Sequence, residues 1–309
     1  MRVLFLGTPD FAVPSLEKLC QEGFDIVGVI TQPDRPRGRG HKMMPCETKA
    51  CAESRQLKVF CFDRIRDAGP VELLRSLKPD VMVTAAYGQI LSQKILDIPP
   101  MGCVNVHGSL LPKYRGAAPI QWSIINGEKE TGITTMFTER GVDTGDILLQ
   151  RKVTIGEDET AGELFDRLAE LGAEVLVDTL KAMEAGTIQR TPQDHDAMSH
   201  FPMLQKSDGE IDFGKTAQQV HDLVRGVTPW PGATMMLGDK KIKVHKTKVL
   251  GKPCAKPNGT VIGSDDKGLL VAAGGTVLRI EEMQLPGKKR MNVPDLLRGF
   301  PIENGTVLS

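Results

Sequence analysis

Residues 2–6, Arg-Val-Leu-Phe-Leu, form a short apolar run that stops at Gly7-Thr-Pro-Asp10. Residues 11–22 then place apolar side chains at helical spacing, and Asp25-Ile-Val-Gly-Val-Ile-Thr31 is a second, nearly continuous apolar run. A strand covered on both faces has no polar side to alternate with, so two such runs separated by a helix predict β-loop-α-β with a parallel pair. That opening restricts the chain to a doubly wound, mostly parallel sheet with helices packed on it. Residues 79–86 and 102–106 read as further interior strands, and Thr131-Gly-Ile-Thr-Thr-Met-Phe137 as a more exposed, alternating one. Residues 160–185 form a strongly amphipathic helix begun by Thr160-Ala-Gly-Glu163, which fits a capping box.

After Gly186 this pattern ends. Residues 187–206 carry Pro192, His195, His200 and Pro202 with no sustained period and read as an extended linker. Short alternating runs follow at 241–249, 259–263, 268–272 and 277–281, separated by Gly, Asp and Pro turns, which suggest a small antiparallel barrel. At 309 residues the chain is long enough for two cores. The expected organisation is a Rossmann-like, mostly parallel α/β domain over 1–188, a linker over 189–206, and a small OB-like β-barrel domain over 207–309.

Lys plus Arg and Asp plus Glu both number 39, so contact with nucleic acid would have to come from local patches. The N-terminus has only four apolar residues in a row before Gly7, too few for a signal core or a membrane span; a cytoplasmic protein without membrane contact is expected, and a monomer. Cys20, Cys46, Cys51, Cys61, Cys103 and Cys254 include no C-x-x-C pair and read as reduced thiols. Cys46, Cys51 and Cys61 match no common zinc spacing, and Asp143 with Asp146 matches no calcium loop, so no metal is expected. The Gly7-Thr-Pro-Asp10 loop lies where a dinucleotide fingerprint would but lacks G-x-G-x-x-G, and Gly38-Arg39-Gly40 does not join a strand to a helix, which argues against NAD.

The chemistry-bearing residues cluster at Asn105-Val-His107-Gly-Ser109-Leu-Leu-Pro112-Lys-Tyr-Arg115-Gly116-Ala-Ala-Pro119 and at Gly141-Val-Asp143-Thr-Gly145-Asp146. Asn105 and His107 are two apart at a predicted strand end, so their side chains share one face, at the sheet edge where α/β folds hold ligands. An Asn amide can donate to a developing oxyanion, His107 can donate to the same oxygen or relay a proton, and Asp143 can hold the imidazole or take a proton through water. A satisfied structural histidine and ordinary turn chemistry for Asn and Asp explain the same residues, so spacing alone leaves both readings standing.

With Phe5-Leu-Gly-Thr-Pro-Asp-Phe11, Thr31-Gln-Pro-Asp-Arg-Pro-Arg-Gly-Arg-Gly40 and Ala85-Ala-Tyr-Gly88, those two segments resemble the formyltransferases that use 10-formyltetrahydrofolate, and the likeness resumes at Pro229-Trp-Pro231 and Pro286-Gly-Lys-Lys289. The resemblance implies that Asn105, His107 and Asp143 are catalytic. It also implies that Ser109, Leu110, Leu111 and Pro112 contact the folate, that Ala85, Tyr87 and Gly88 line the pterin pocket, and that 10-formyltetrahydrofolate is the formyl donor. Among such enzymes it points to acceptors borne on initiator methionyl-tRNA; a formyltransferase acting on a ribonucleotide or amino-sugar amine, a formyl-folate hydrolase, and a non-catalytic RNA- or folate-binding protein are the alternatives.

Two basic regions favour the tRNA acceptor. Arg35, Arg37, Arg39 and Lys42 oppose only Asp34 within 33–42, in a Gly- and Pro-rich segment expected to be a mobile loop, and the resemblance singles out Arg39. Residues 239–256 carry seven lysines against Asp239, of which Lys241, Lys243, Lys246 and Lys248 are the candidates for one strand face. A solvated loop and a lysine-guarded edge strand are the competing explanations.

Overall fold

In the computed structural model, which describes residues 1–37 and 42–309 and of Arg37 the backbone alone, the opening β-loop-α-β unit is present. β1 (Arg2–Gly7) pairs in parallel with β2 (Asp25–Thr31), and a single turn of 3-10 helix at Asp10–Ala12 leads into the connecting helix Val13–Gln21. Outside them lies a short antiparallel ribbon of β3 (Arg35–Arg37) and β4 (Lys42–Met44), so the described ends of the expected mobile loop lie on paired strands. β5 (Val59–Cys61) extends the sheet beyond β2; on the other side β1 pairs with β6 (Val81–Ala85) and β6 with β7 (Cys103–His107), all in parallel. β8 (Arg115–Gly116) lies off the sheet, whereas β9 (Glu130–Phe137) joins β7 antiparallel and β10 (Ile147–Thr154) gives the order β10-β9-β7-β6-β1-β2-β5.

Val3–Leu6, Val81–Val83 and Val104 are fully buried, the covering of both faces that unbroken apolar runs predict. The chain runs outward from β1 to β2 and β5, then returns to the opposite side for β6 and β7. The direction of winding therefore switches between β1 and β6, and the loops after β1, β6 and β7 border the crevice where such sheets hold ligands.

β9 departs from expectation. Residues 131–136 are all buried, because β9 is an interior strand. Its threonines mimic an exposed face in the sequence, yet Thr135 exchanges a 2.7 Å hydrogen bond with Thr179 of the helix Ala161–Glu184, and Thr134 donates to the Ser109 carbonyl at 2.6 Å.

Two units divide the chain: 1–116, 131–153 and 165–201 form the first, and 117–130, 154–164 and 202–309 the second. The expected linker is extended but not loose. Thr191 bridges Ile147, and β11 (His200–Phe201) pairs in parallel with β8, all within the first unit.

The second unit holds an antiparallel sheet of β12 (Ala233–Leu237), β13 (Lys240–Pro253), β14 (Val261–Ser264), β15 (Leu269–Ala273) and β16 (Thr276–Gln284), in the order β12-β13-β16-β15-β14, with β17 (Met291–Asn292) on β16. The C-terminal residues tie its two outer strands together: Val261 N–H donates to the Thr306 carbonyl at 2.8 Å and Ser309 N–H to the Met236 carbonyl at 3.1 Å. Its core includes Ile242, Val244, Leu269, Val271, Leu278 and Ile280.

The helix Ala217–Gly226, capped reciprocally by Thr216 and Gln219, escapes the sequence pattern because its buried face carries His221, Asp222 and Arg225 beside Val220 and Val224. Arg225 pairs with Asp222 at 2.7 Å and donates to the carbonyls of Gly156 and Glu159. His221 shares a 3.0 Å hydrogen bond with the Thr247 hydroxyl and a 3.1 Å one with the Glu157 carbonyl. Among the described residues no helix is long and apolar enough to cross a membrane.

Candidate active site

Asn105 and His107 project from the C-terminal end of β7, with Val106 between them turned into the core. Asn105 lies opposite Thr84 of β6, whose hydroxyl donates to Oδ1 at 2.8 Å. That bond occupies the amide oxygen and leaves the Nδ2 donors for the site. His107 is buried, and Nε2 lies 2.9 Å from the Tyr114 carbonyl. A carbonyl only accepts, so Nε2 carries the proton and Nδ1 is the nitrogen left for chemistry.

Asp143 comes from the loop between β9 and β10, with Oδ2 3.7 Å from His107 Nδ1 and 2.8 Å from the Gly116 N–H that donates to it. The gap to His107 is too long for a hydrogen bond, yet close enough for the carboxylate to stabilise a charged imidazole. Asp143 has φ +52°, in the left-handed region. Two glycines make the loop possible. A Cβ on Gly145 would strike the Phe137 carbonyl, and one on Gly116, where φ is +110°, would strike that of Phe201.

The chain matches the formyl transferase family model over residues 1–180 and the formyl transferase C-terminal domain model over 203–301. It is 51% identical to a methionyl-tRNA formyltransferase of Ruminiclostridium cellulolyticum over 310 aligned positions, covering all of this chain and 99% of that protein. It is 48% identical to one of Clostridioides difficile, covering both chains in full. The chain belongs to the methionyl-tRNA formyltransferase family. Among solved structures its fold resembles the N-formyltransferase of Helicobacter canadensis in complex with folinic acid and dTDP-3-aminofucose (TM-score 0.69, 19% identity, 90% of this chain and 98% of that one). It also resembles HypX of Aquifex aeolicus in complex with tetrahydrofolic acid (TM-score 0.62, 18% identity, all of this chain and 50% of that one).

In this formyltransferase the Ser109–Pro112 segment is fastened from behind. Thr134 Oγ1 accepts from Leu111 N–H at 3.1 Å, and Gln150 Nε2 donates to the Leu111 carbonyl at 2.8 Å. The Ser109 hydroxyl is committed to the Lys113 carbonyl at 2.7 Å. Ser109 and Leu111 are buried, as is Ala85, leaving Leu110, Pro112 and Gly88 as the solvent-facing members of the predicted folate set. The Tyr87 side chain lies in the apolar cluster with Leu4, Ile30 and Ile65, where burial pushes its phenol far up, and its carbonyl accepts from Thr8 and Gln32. Tyr87 thus builds the loop after β6 rather than presenting its ring.

Several site-building residues escape the sequence altogether. Thr84, Thr134 and Gln150 face the site from neighbouring strands, and only register brings them there. Ser199 accepts from Tyr114 N–H through Oγ and from Arg115 N–H through its carbonyl, so the expected linker aims the Tyr114 carbonyl at His107. No group of three His, Cys, Asp or Glu side chains among the described residues is placed to hold a metal, and all six cysteines are free thiols.

The basic regions are only partly as expected. Arg35 and Lys42 are exposed on the ribbon, and Asp34, the one acid opposing them, is paired with Lys49 at 2.8 Å. Arg39 lies outside the described residues, as does the side chain of Arg37. On β13, Lys241 and Lys243 occupy odd positions and Lys246 and Lys248 even ones; register irregularities on either side of Lys246 let all four lie outward while Ile242, Val244 and Thr247 are buried. Three of them are neutralised locally, Lys241 by Glu210, Lys246 by Glu281 and Lys248 by Asp158. Pairing sets in only on folding, so the residue count overstates the free charge.

Proposed function

We infer that this chain transfers the formyl group of 10-formyltetrahydrofolate to the α-amino group of initiator methionyl-tRNA, yielding N-formylmethionyl-tRNA for translation initiation in the cytoplasm. The observation that carries the reading is the convergence of an Asn105 amide whose Nδ2 donors are uncommitted, the Nδ1 of His107 and the Asp143 carboxylate at the end of β7, in a chain about half identical over its full length to named methionyl-tRNA formyltransferases.

The free amine forms a bond to the formyl carbon as the carbonyl electron pair moves to oxygen. Asn105 Nδ2 donates to that oxyanion, a contribution of about 3 kcal/mol for one well-aimed donor. His107 keeps its Nε2 proton on Tyr114, so Nδ1 is where a proton arrives and leaves; with Nδ1 protonated, His107 is the second donor. Asp143 stabilises the imidazolium and accepts, through water, the proton released by the attacking amine. Collapse of the oxyanion breaks the bond to N10, which takes up through water the proton that Asp143 received, so that tetrahydrofolate leaves neutral at N10 and the carboxylate is restored. Leu110, Pro112 and Gly88 line the folate site, and Arg35, Arg37, Arg39, Lys42 and Lys243 supply phosphate contacts that the paired lysines join when tRNA displaces their carboxylates.

Transfer of labelled formyl from 10-formyltetrahydrofolate is compared across initiator methionyl-tRNA, elongator methionyl-tRNA and small amines at several salt concentrations. Label should accumulate on the initiator tRNA, with a KM for tRNA that rises with salt while the folate KM does not. Equal or faster labelling of a small amine would replace this reading with the small-substrate one, and label released as formate would replace it with a hydrolase.

A further inference from the structure

Gln193 lies in the stretch that reads as linker, yet it is 6% exposed and its amide is fully committed. Oε1 accepts from Arg115 Nε at 3.1 Å and Nη2 at 2.7 Å, while Nε2 donates to the carbonyls of Asp143 at 2.9 Å and Gly145 at 2.7 Å. Arginine only donates and carbonyls only accept, so the orientation of this amide is forced by its partners. One side chain therefore joins two parts of the active site. Arg115 precedes Gly116, whose N–H holds the Asp143 carboxylate, and the two carbonyls belong to the loop that carries that carboxylate.

The loop needs such a tie. Asp143 sits at φ +52°, a conformation that costs a non-glycine residue about 1 kcal/mol or more, and its side chain has to stay near His107 Nδ1 without touching it. We propose that Gln193 is a positioning residue for formyl transfer, holding the left-handed Asp143 backbone through its Nε2 donors so that the carboxylate faces His107. This rests on the reading that Asp143 acts in the reaction. Gln193 itself touches no substrate.

The two ends of the amide make the idea separable from a purely structural role. Among the described residues Arg115 is a buried guanidinium whose side-chain acceptors are neutral, Gln193 and Nδ1 of His195 at 3.3 Å. Gln193→Glu keeps the acceptor for Arg115 and adds an ion pair, but turns a carboxylate without protons toward the carbonyls of Asp143 and Gly145. If Gln193 serves only to satisfy Arg115, this variant is as active as the parent. If it holds the Asp143 loop, stability and turnover part company.

The test measures kcat, both KM values, the pH profile of kcat and thermal unfolding for Gln193→Glu and Gln193→Ala, with Asp143→Ala as reference. Gln193→Glu should unfold no earlier than the parent yet lose about 10- to 100-fold in kcat, the scale of a catalytic group displaced by up to an ångström. Its KM values should stay within about threefold, since neither substrate site is disturbed, and the pH limb that reports the His107–Asp143 pair should move. Gln193→Ala should lose both kcat and stability. A Gln193→Glu enzyme with parental kcat and pH profile, beside an inactive Asp143→Ala, overturns the proposal and leaves the catalytic reading intact. Parental turnover in Asp143→Ala overturns the catalytic reading instead, and the role of Gln193 with it.

Discussion

Two buried histidines in this chain each lie beside a carboxylate, and they differ in what is left unbonded. His221 has Thr247 on Nδ1 and the Glu157 carbonyl on Nε2, with Asp158 3.4 Å from the same Nε2. A neutral ring meets both needs at once, donating from Nε2 and accepting at Nδ1. His107 has one strong partner, the Tyr114 carbonyl, and its Nδ1 looks across 3.7 Å at Asp143. On the proposed reading, burial and a neighbouring acid do not set the catalytic histidine apart from the structural one; the unfilled valence does.

The comparison breaks first at the residues themselves. His107→Ala and Asp143→Ala should each lower kcat by about 10²–10⁴-fold, the range for removing an acid–base group, with tRNA binding little changed and with any loss of stability, such as that from unpairing the Tyr114 carbonyl, too small to account for the lost turnover. His221→Ala should do the opposite. It strands the Thr247 hydroxyl and the Glu157 carbonyl in a buried place, which costs about 1–3 kcal/mol, while kcat per folded molecule stays within about twofold. Denaturant unfolding read beside single-turnover formyl transfer separates the two, and a catalytic loss in His221→Ala would erase the distinction.

A smaller effect tests whether an open valence must also be aimed. Thr84→Val keeps the shape of β6 but removes the hydroxyl that occupies Asn105 Oδ1. The amide can then turn its oxygen toward the site, and kcat should fall about tenfold, equivalent to one ordinary hydrogen bond. Thr84→Ser keeps the hydroxyl and should recover most of the loss; equal activity in the Val and Ser variants would mean that Asn105 is held by something else.

The two regions were not equally legible. Asn105 and His107 stand out because alternation on one strand needs no knowledge of other strands, and β1 and β2 because strands covered on both faces leave unbroken apolar runs. Everything that tunes the site is long-range. Thr84 reaches Asn105 only through the register of β6 on β7, and Gln193 and Ser199 come from a segment whose prolines hide its attachments. β9 was obscured by buried threonines with satisfied hydroxyls, and the helix Ala217–Gly226 by a polar buried face. Period and hydropathy report burial when the buried side is apolar, and mislead where a network of hydrogen bonds replaces it.

The smallest effect concerns the carboxylate beside the structural histidine. Asp158, unlike Asp143, is paired with a lysine: Lys248 lies 2.5 Å from Oδ2, and that hydrogen-bonded ammonium holds its carboxyl below the usual carboxylate range, with Lys246 and His221 nearby. A depressed carboxylate pKa stabilises the fold above the unfolded value of about 3.9, and the contribution is lost as pH falls through the folded value. Lys248 is raised by the same bond, so its share persists below the unfolded value of about 10.4 and is lost as pH rises through the folded one. The stability difference between the parent and Asp158→Asn should therefore be flat across neutral pH, no larger than about 1 kcal/mol for so exposed a pair, and should close below about pH 4 and above about pH 10.4. The kcat of formyl transfer should be unchanged throughout the plateau, because His221 is satisfied without Asp158, while the freed Lys248 lowers the KM for tRNA. A stability difference that instead varied across neutral pH would show that the Asp158–Lys248 pair is not its source.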